Sequence, residues 1–364
     1  MATRAGDVTP ANAGPANTGP ADAATSVSST GSNKATPAWT PCSFYRAGDG
    51  TVQRDLPPKA LAAALADTAG TLWVDVDATN RHQHALLEKI FKFHPLAIED
   101  TLNPNSRVKY EEYDGFLFVI ARAVKLEEET PDPYDVETQN LYFFLGQNFL
   151  VSVHSYPSDS VRTMLDRVAL SDDLLARGPA RIMHGVLDAS VDAYFPLLDN
   201  LDELLDGLEE RVFVSFDQSA LRDIFGVKRL VLTLRRHLAP QREVLNQLTN
   251  RPTELLPPSV QVYFRDVYDH VLRINDTLDT YRELLSSTLD SYLSQVSNRL
   301  SRSSKGLTVV ATVTLPFVIM SGMWGMNFDH IPLSHTAHGF GLLVVLQLVV
   351  AGVLLILLRW LKLL

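Results

Sequence analysis

The stretch GLTVVATVTLPFVIMSGMWGMNFDHIP, residues 306–332, decides how this chain is built. Its first part, 306–323, carries no charge, and a second uncharged run, GFGLLVVLQLVVAGVLLILL, follows at 339–358. Apolar runs of about 20 residues match a bilayer core about 30 Å thick at about 1.5 Å per residue, so two membrane spans are expected. A buried core helix would account for the first run alone, with its Pro316 and three threonines, but not for two runs in succession. Between them, glycine, tryptophan, asparagine and proline cluster where the chain must turn around.

The flanking charges orient the spans. Arg299, Arg302 and Lys305 precede the first, Arg359 and Lys362 close the second, and the connecting loop 324–338 has neither Lys nor Arg. Basic flanks stay inside, so both termini are expected in the cytoplasm of a cell (inner) membrane protein that crosses the lipid twice.

The spans differ in character. The second is nearly all Leu and Val, suited to face lipid, whereas the first carries Thr308, Thr312, Thr314, Ser321 and Gly322 after Ser301, Ser304 and Lys305. Small and hydroxyl residues in a span mark close helix contact or a polar lining. Two helices cannot enclose a water-filled path, so a transport role requires a homo-oligomer, with cyclic symmetry the default. In such a ring Asn327 from each copy places amide carbonyls around the outer mouth. Neutral amides can hydrogen-bond the water shell of Mg2+, which dehydrates reluctantly, without trapping the ion as carboxylates would. Gly322 and Gly325 are expected to permit a sharp backbone geometry beside it.

Upstream, residues 1–39 are rich in Ala, Thr, Pro, Gly and Ser and read as a disordered tail. Residues 40–180 read as an α/β domain, with strands at 72–78, 116–124, 139–145 and 149–155 and a helical segment broken at Pro95. Residues 181–258 read as a helical hairpin. Its first arm sets Leu187, Val191, Tyr194, Leu198, Leu201, Leu205 and Leu208 at helical spacing opposite an acidic face, with a kink expected at Pro196. Its second arm is basic and is expected to pair with those acids. From 259 to 323 a single stalk helix is expected to run into the first span (about 306–323), its seam formed by Phe264, Val267, Val271, Ile274, Leu278, Tyr281, Leu285, Leu289, Tyr292 and Val296. The external loop 324–338 and a second span, 339–361, complete the chain. The expected fold is thus an α+β cytoplasmic domain, a long-helix stalk and two C-terminal transmembrane helices.

Several function classes are disfavoured. The net charge of −10 argues against nucleic acid and suits a protein that meets cations. The lone Cys42 cannot form an internal disulfide. No phosphate-binding GxxxxGK[ST] loop, nucleophile–base set or zinc motif occurs, so neither ATP drive nor an enzyme nor an organic cofactor is expected.

Gly325-Met326-Asn327, followed by Phe328 and Pro332, resembles the signature of the CorA family of magnesium and cobalt channels. The resemblance extends through Lys305, Leu307, Thr308, Thr312 and Pro316, through FRDVYDHVLRINDTLDTYRELL (264–285) and HPLAIEDTLNPNSRVKYEEYDGFLFVI (94–120), and covers about residues 70–364. It implies a funnel-shaped homopentamer that imports Mg2+, with Co2+ or Ni2+ as further candidate substrates, down the membrane potential under the control of cytoplasmic Mg2+. Asn327 would select at the outer mouth. Asp100 would face Asp266 of the neighbouring subunit across a regulatory Mg2+, and Glu99 and Asp188 would complete a second site.

This chain departs from the family at the inner pore, where Ser301 and Ser304 stand for Asn and Met. Trp324 replaces the outer Tyr, IPLS replaces MPEL so that only Asp329 remains acidic, and the loop holds His330, His335 and His338. Ser304 in place of Met removes one apolar ring and Ser301 is too small to occlude, so the apolar candidates are Leu307, Leu315 and Val318, with Thr308 beside them, and the seal is expected mainly at Leu307 and Leu315. Two alternatives stand: a zinc transporter of the same superfamily, disfavoured by Met326, and a non-conducting membrane-tethered metal sensor, disfavoured by the polar stripe and Asn327.

Overall fold

The computed structural model describes residues 41–126, 134–215, 217, 219–326, 331–332 and 336–361. Residues 1–39, Asn327, Asp329, His330, His335 and Lys362 therefore lie outside the described residues. Among the described residues seven strands form one mixed sheet: β1 (Cys42–Arg46), β2 (Val52–Arg54), β3 (Thr71–Asp77), β4 (Lys109–Tyr113), β5 (Phe116–Leu126), β6 (Val136–Leu145) and β7 (Phe149–His154). Their order is β2-β1-β3-β7-β6-β5-β4, and β3 with β7 is the parallel pair, in register from Leu72↔Phe149 to Asp77↔His154. β3, β5, β6 and β7 are the four runs legible from composition; β1, β2 and β4 are short and half polar, with β2 and β4 on the sheet's edges.

Strand alternation divides the core in two. Leu117, Val119 and Phe143 point to one face with Trp73, while Phe118, Ile120 and Phe144 point to the other with Val74. The second face is covered by α1 (Pro58–Ala66), α2 (Arg81–Lys89) and α3 (Pro95–Leu102), through Leu61, Leu87 and Ala97. Pro95 opens α3 at its first turn, where a missing N–H costs nothing, which is why the helical segment breaks there. The first face is covered by α4 (Asp159–Leu170), the short α5 (Asp173–Ala176) and α6 (Pro179–Asp192), through Val161, Leu175 and Ile182.

From α6 onward the structure is helical: α7 (Tyr194–Glu210), a π-turn at Arg211–Ser215, α8 (Ala220–Asn250), α9 (Pro258–Trp324) and α10 (Gly339–Trp360). The expected kink at Pro196 falls at Ala193 instead, between α6 and α7. Pro196 thereby sits in the first turn of α7, where its nitrogen has no intrahelical duty. All seven apolar positions named above for this arm are buried. Among the described residues, Arg235 of α8 reaches Asp279 of α9 at 3.1 Å.

α9 is one helix of 67 residues, roughly 100 Å long at about 1.5 Å per residue. Its seam is buried from Phe264 to Tyr292, but for the half-buried Leu289, against α6, α7 and α8 of the same chain, and Val296 marks its exposed end. Phe264, Val267, Val271, Ile274, Leu278 and Leu285 are fully buried, each worth about 1.5–3 kcal/mol of burial. Pro316 lies inside α9 without ending it, as spans tolerate. The head end of α9 and the first span are therefore parts of one continuous helix.

Candidate functional site

At the upper end of α9 three potential ligands converge. Asp188 and Asp192, one turn apart on α6, and His270 on α9 bring their donor atoms within 4.8 Å of one another. His270 Nδ1 lies 3.7 Å from Asp192 Oδ1, and Phe195 packs edge-on against the imidazole at 5.6 Å between ring centroids. Burial pushes the Asp188 carboxyl above the usual carboxylate range, and the Asp266 charge adds to the rise. Asp192 is raised too, by burial and then by Asp188. Two acids that resist ionising beside each other are a place where a cation is favoured. Two oxygens and one imidazole nitrogen suit a transition ion as well as Mg2+.

Asp188 is a residue the family resemblance named. Asp192 and His270 are not, although the i, i+4 spacing of the acids and the histidine in FRDVYDH were readable signals.

Asp100 is held differently. Its Oδ2 accepts from Lys109 Nζ at 2.7 Å, and its Oδ1 accepts from Ser106 Oγ at 3.0 Å. Lys109 also reaches Glu111 Oε2 at 2.8 Å. Glu99, beside it on α3, is exposed, as is Asp266 on α9. Because α3 covers one face of the sheet and α6 the other, a single protomer does not bring Glu99 to Asp188 or Asp100 to Asp266.

At the membrane end, α10 lies along α9. The half-covered residues Val309, Val313, Pro316, Met320 and Trp324 form a stripe at helical spacing. Ser304, Leu307, Ala311, Leu315, Val318 and Gly322 stand about half a turn away at 3.6 residues per turn. Leu307 is 74% exposed, Leu315 60% and Val318 66%, and Ser301 and Thr308 are exposed beside them.

α9 ends where Gly325 N–H donates to Ser321 O at 3.0 Å and Met326 N–H to Met323 O at 3.4 Å. Gly325 has φ −86°, ψ 0°, and Gly322 is helical, so the expected sharp glycine geometry is not used. At Gly325 the constraint is close approach, since a Cβ would meet Ser321 O at 3.3 Å. One further contact escaped the sequence reading: Gln347 of α10 donates from Nε2 to Ser321 Oγ at 3.1 Å. Its signal was a lone amide in an otherwise apolar run.

A head domain is thus joined by one unbroken helix to two segments long and apolar enough to cross a membrane. The chain belongs to the family of the CorA-like Mg2+ transporter protein, whose family model matches residues 68–362. YfjQ of Bacillus subtilis, provisionally named a metal ion transporter, is 32% identical over 283 residues, 78% of this chain and 86% of that one. The cobalt/magnesium transport protein CorA of Thermotoga maritima is 29% identical over 294 residues, 80% of this chain and 82% of that one. The complete structure of the CorA magnesium transporter from Methanocaldococcus jannaschii superposes with a TM-score of 0.74 at 22% identity, covering 87% of this chain and 97% of that chain. The chain is thus a divalent cation transporter of a membrane family, and the family is one of transporters rather than enzymes.

Proposed function

We propose that this chain forms a homopentameric, passive channel that imports Mg2+, with Co2+ or Ni2+ as further substrates, and that cytoplasmic Mg2+ closes it. The observation that carries this reading is the uncovered face of α9. α10 occupies one side of the first span, and the opposite side presents Ser304, Leu307, Ala311, Leu315, Val318 and Gly322, exposed among the described residues. A stripe of small and apolar side chains left bare within a bilayer is suited to line a path made by several copies. The basic flanks favour cytoplasmic termini and an inner-membrane location.

No nucleotide is needed to drive influx. A divalent ion moves downhill by about 4.6 kcal/mol per 100 mV of inside-negative potential, twice the single-charge figure. Asn327, with Gly325 and Met326, selects a hydrated ion at the outer mouth, and the rings of Leu307, Leu315 and Val318 dewet the closed pore.

Closure is set in the head. Asp100 of one subunit and Asp266 of the next repel one another without metal and draw together across Mg2+. Glu99 reaches toward the neighbour's Asp188 centre in the same way, and the opposite sheet faces that carry these residues in one protomer agree with ligands supplied across a subunit boundary. His270 favours a second reading for that centre alone, as a sensor of Co2+, Ni2+ or Zn2+.

Asn327→Ala, reconstituted in liposomes, is expected to abolish Mg2+ influx while the assembly stays intact. Undiminished influx would remove Asn327 from the selective mouth.

A further inference from the structure

α10 is almost wholly Leu, Val, Ile, Ala and Gly, yet it carries Gln347 in its middle. A primary amide facing hydrocarbon would leave its donors and acceptor unsatisfied, so its place in the span requires a partner. The partner is the last full turn of the first span. Gln347 Nε2 donates to Ser321 Oγ at 3.1 Å and to Phe317 O at 3.5 Å, two groups one turn apart on α9.

Ser321 has a second duty. Its carbonyl accepts the Gly325 N–H at 3.0 Å, the bond that closes α9, and Gly325 opens the Gly325-Met326-Asn327 motif. Gln347 is thus linked to the motif through one residue: amide to hydroxyl, then carbonyl to glycine N–H. Nearby features make such a tie necessary. Pro316 withdraws a backbone donor one residue before Phe317, and Gly322, where a Cβ would meet nothing within 4 Å, leaves the outer turn thinly packed. Between a proline and two glycines, apolar contact alone holds this turn weakly, and a directed hydrogen bond fixes its rotation about the helix axis.

We propose that Gln347 is a positioning residue for cation entry: it fixes the rotation and height of the outer turn of the first span, from which Gly325 and Met326 lead into the selective motif. It touches no ion. The inference rests on the reading of that motif as the selective mouth.

The test uses the full chain, purified and reconstituted, with influx measured per assembled oligomer. Gln347→Met keeps the length and removes the donor; Ser321→Ala removes the acceptor without touching α10. Each is expected to raise the Mg2+ concentration for half-maximal influx about threefold to tenfold, the effect of losing one interhelical polar contact in a bilayer. Each is also expected to change the Mg2+ to Co2+ influx ratio. The double variant should be no worse than the poorer single, and the exchange Ser321→Gln with Gln347→Ser should bring the half-maximal concentration back toward the unmodified value. A general loss of stability would lower the yield of oligomer without moving either readout. Unchanged half-maximal concentration and ion ratio in both single variants, or full additivity in the double, would overturn the proposal. Asn327→Ala measured alongside separates the two ideas. If it abolishes influx while the Gln347 and Ser321 variants behave as the unmodified chain, this inference fails alone; if it leaves influx intact, the reading of the motif fails.

Discussion

Replacing Lys109 with methionine is expected to sensitise closure to Mg2+. In the protomer the ammonium sits 2.7 Å from Asp100 Oδ2, with side-chain exposures of 30% and 26%. A regulatory ion that needs Asp100 must displace this ammonium or share the carboxylate with it. Coulomb attraction at this distance is about 1.5 kcal/mol in water, and partly exposed pairs deliver about 0.2–1 kcal/mol net. Losing the competitor is therefore worth up to about 1 kcal/mol, or about a fivefold decrease in the Mg2+ concentration that half-closes the channel. Methionine keeps the length of the side chain but gives up the ammonium that lies 5.5 Å from the Phe118 ring centroid. Glu111→Gln supplies a control of opposite sign. It weakens the second anchor of Lys109, at 2.8 Å, and leaves the ammonium more fully to Asp100, so closure should need more Mg2+. The assay is the Mg2+ dependence of protection of the stalk from protease, read beside influx. A Lys109→Met curve that is unmoved, or that shifts to higher Mg2+, would refute Asp100 as a ligand of the closing ion.

Three further outcomes are expected. His270→Ala should weaken Co2+ binding to the Asp188–Asp192–His270 centre about tenfold or more while changing Mg2+ binding far less, as titration calorimetry of both ions would reveal. Leu307→Ser should leave a leak at high internal Mg2+, and Ser304→Met should tighten the seal; a Leu307→Ser channel that still closes fully would move the gate elsewhere on α9. The third concerns pH. Burial pulls the His154 pKa down, but the hydrogen bond to Asp75, 3.0 Å from Nε2, and its charge outweigh burial, and the net shift is upward. The stability this pair contributes is fully present below the unfolded value of about 6.5 and is lost as pH rises through the higher folded value. Asp75→Asn retains an acceptor for Ser152 Oγ, so the melting-temperature gap from the unmodified chain should be widest near pH 6 and narrow at alkaline pH. A gap constant across that range would deny the charged pair.

Periodicity made the long elements legible. The spacing from Phe264 to Tyr292 marks one apolar stripe on one helix, buried but for the half-buried Leu289, because a 3.6-residue repeat survives any choice of partner. The partner itself was not legible: the seam suited a coiled coil, and it packs instead on α6, α7 and α8 of its own chain. β4 escaped because KYEEY is half charged, and with it escaped the lysine that occupies Asp100. Asp192 and His270 meet across two helices some eighty residues apart in sequence, a juxtaposition that spacing along either helix cannot reveal. Gln347 was passed over inside a run read as lipid-facing, where a single amide barely alters hydropathy but requires a partner.

Several copies of this chain are expected to form a passive path for Mg2+ between the uncovered faces of α9. It is tested most directly by reconstituting the purified chain in liposomes, imposing an inside-negative potential without nucleotide, and comparing entry of Mg2+, Co2+ and Zn2+. Potential-driven Mg2+ entry is expected, with Co2+ admitted and Zn2+ poorly so, and it should stop when the potential is collapsed. Absence of Mg2+ entry from correctly assembled protein, or entry of Zn2+ in preference to Mg2+, would contradict it.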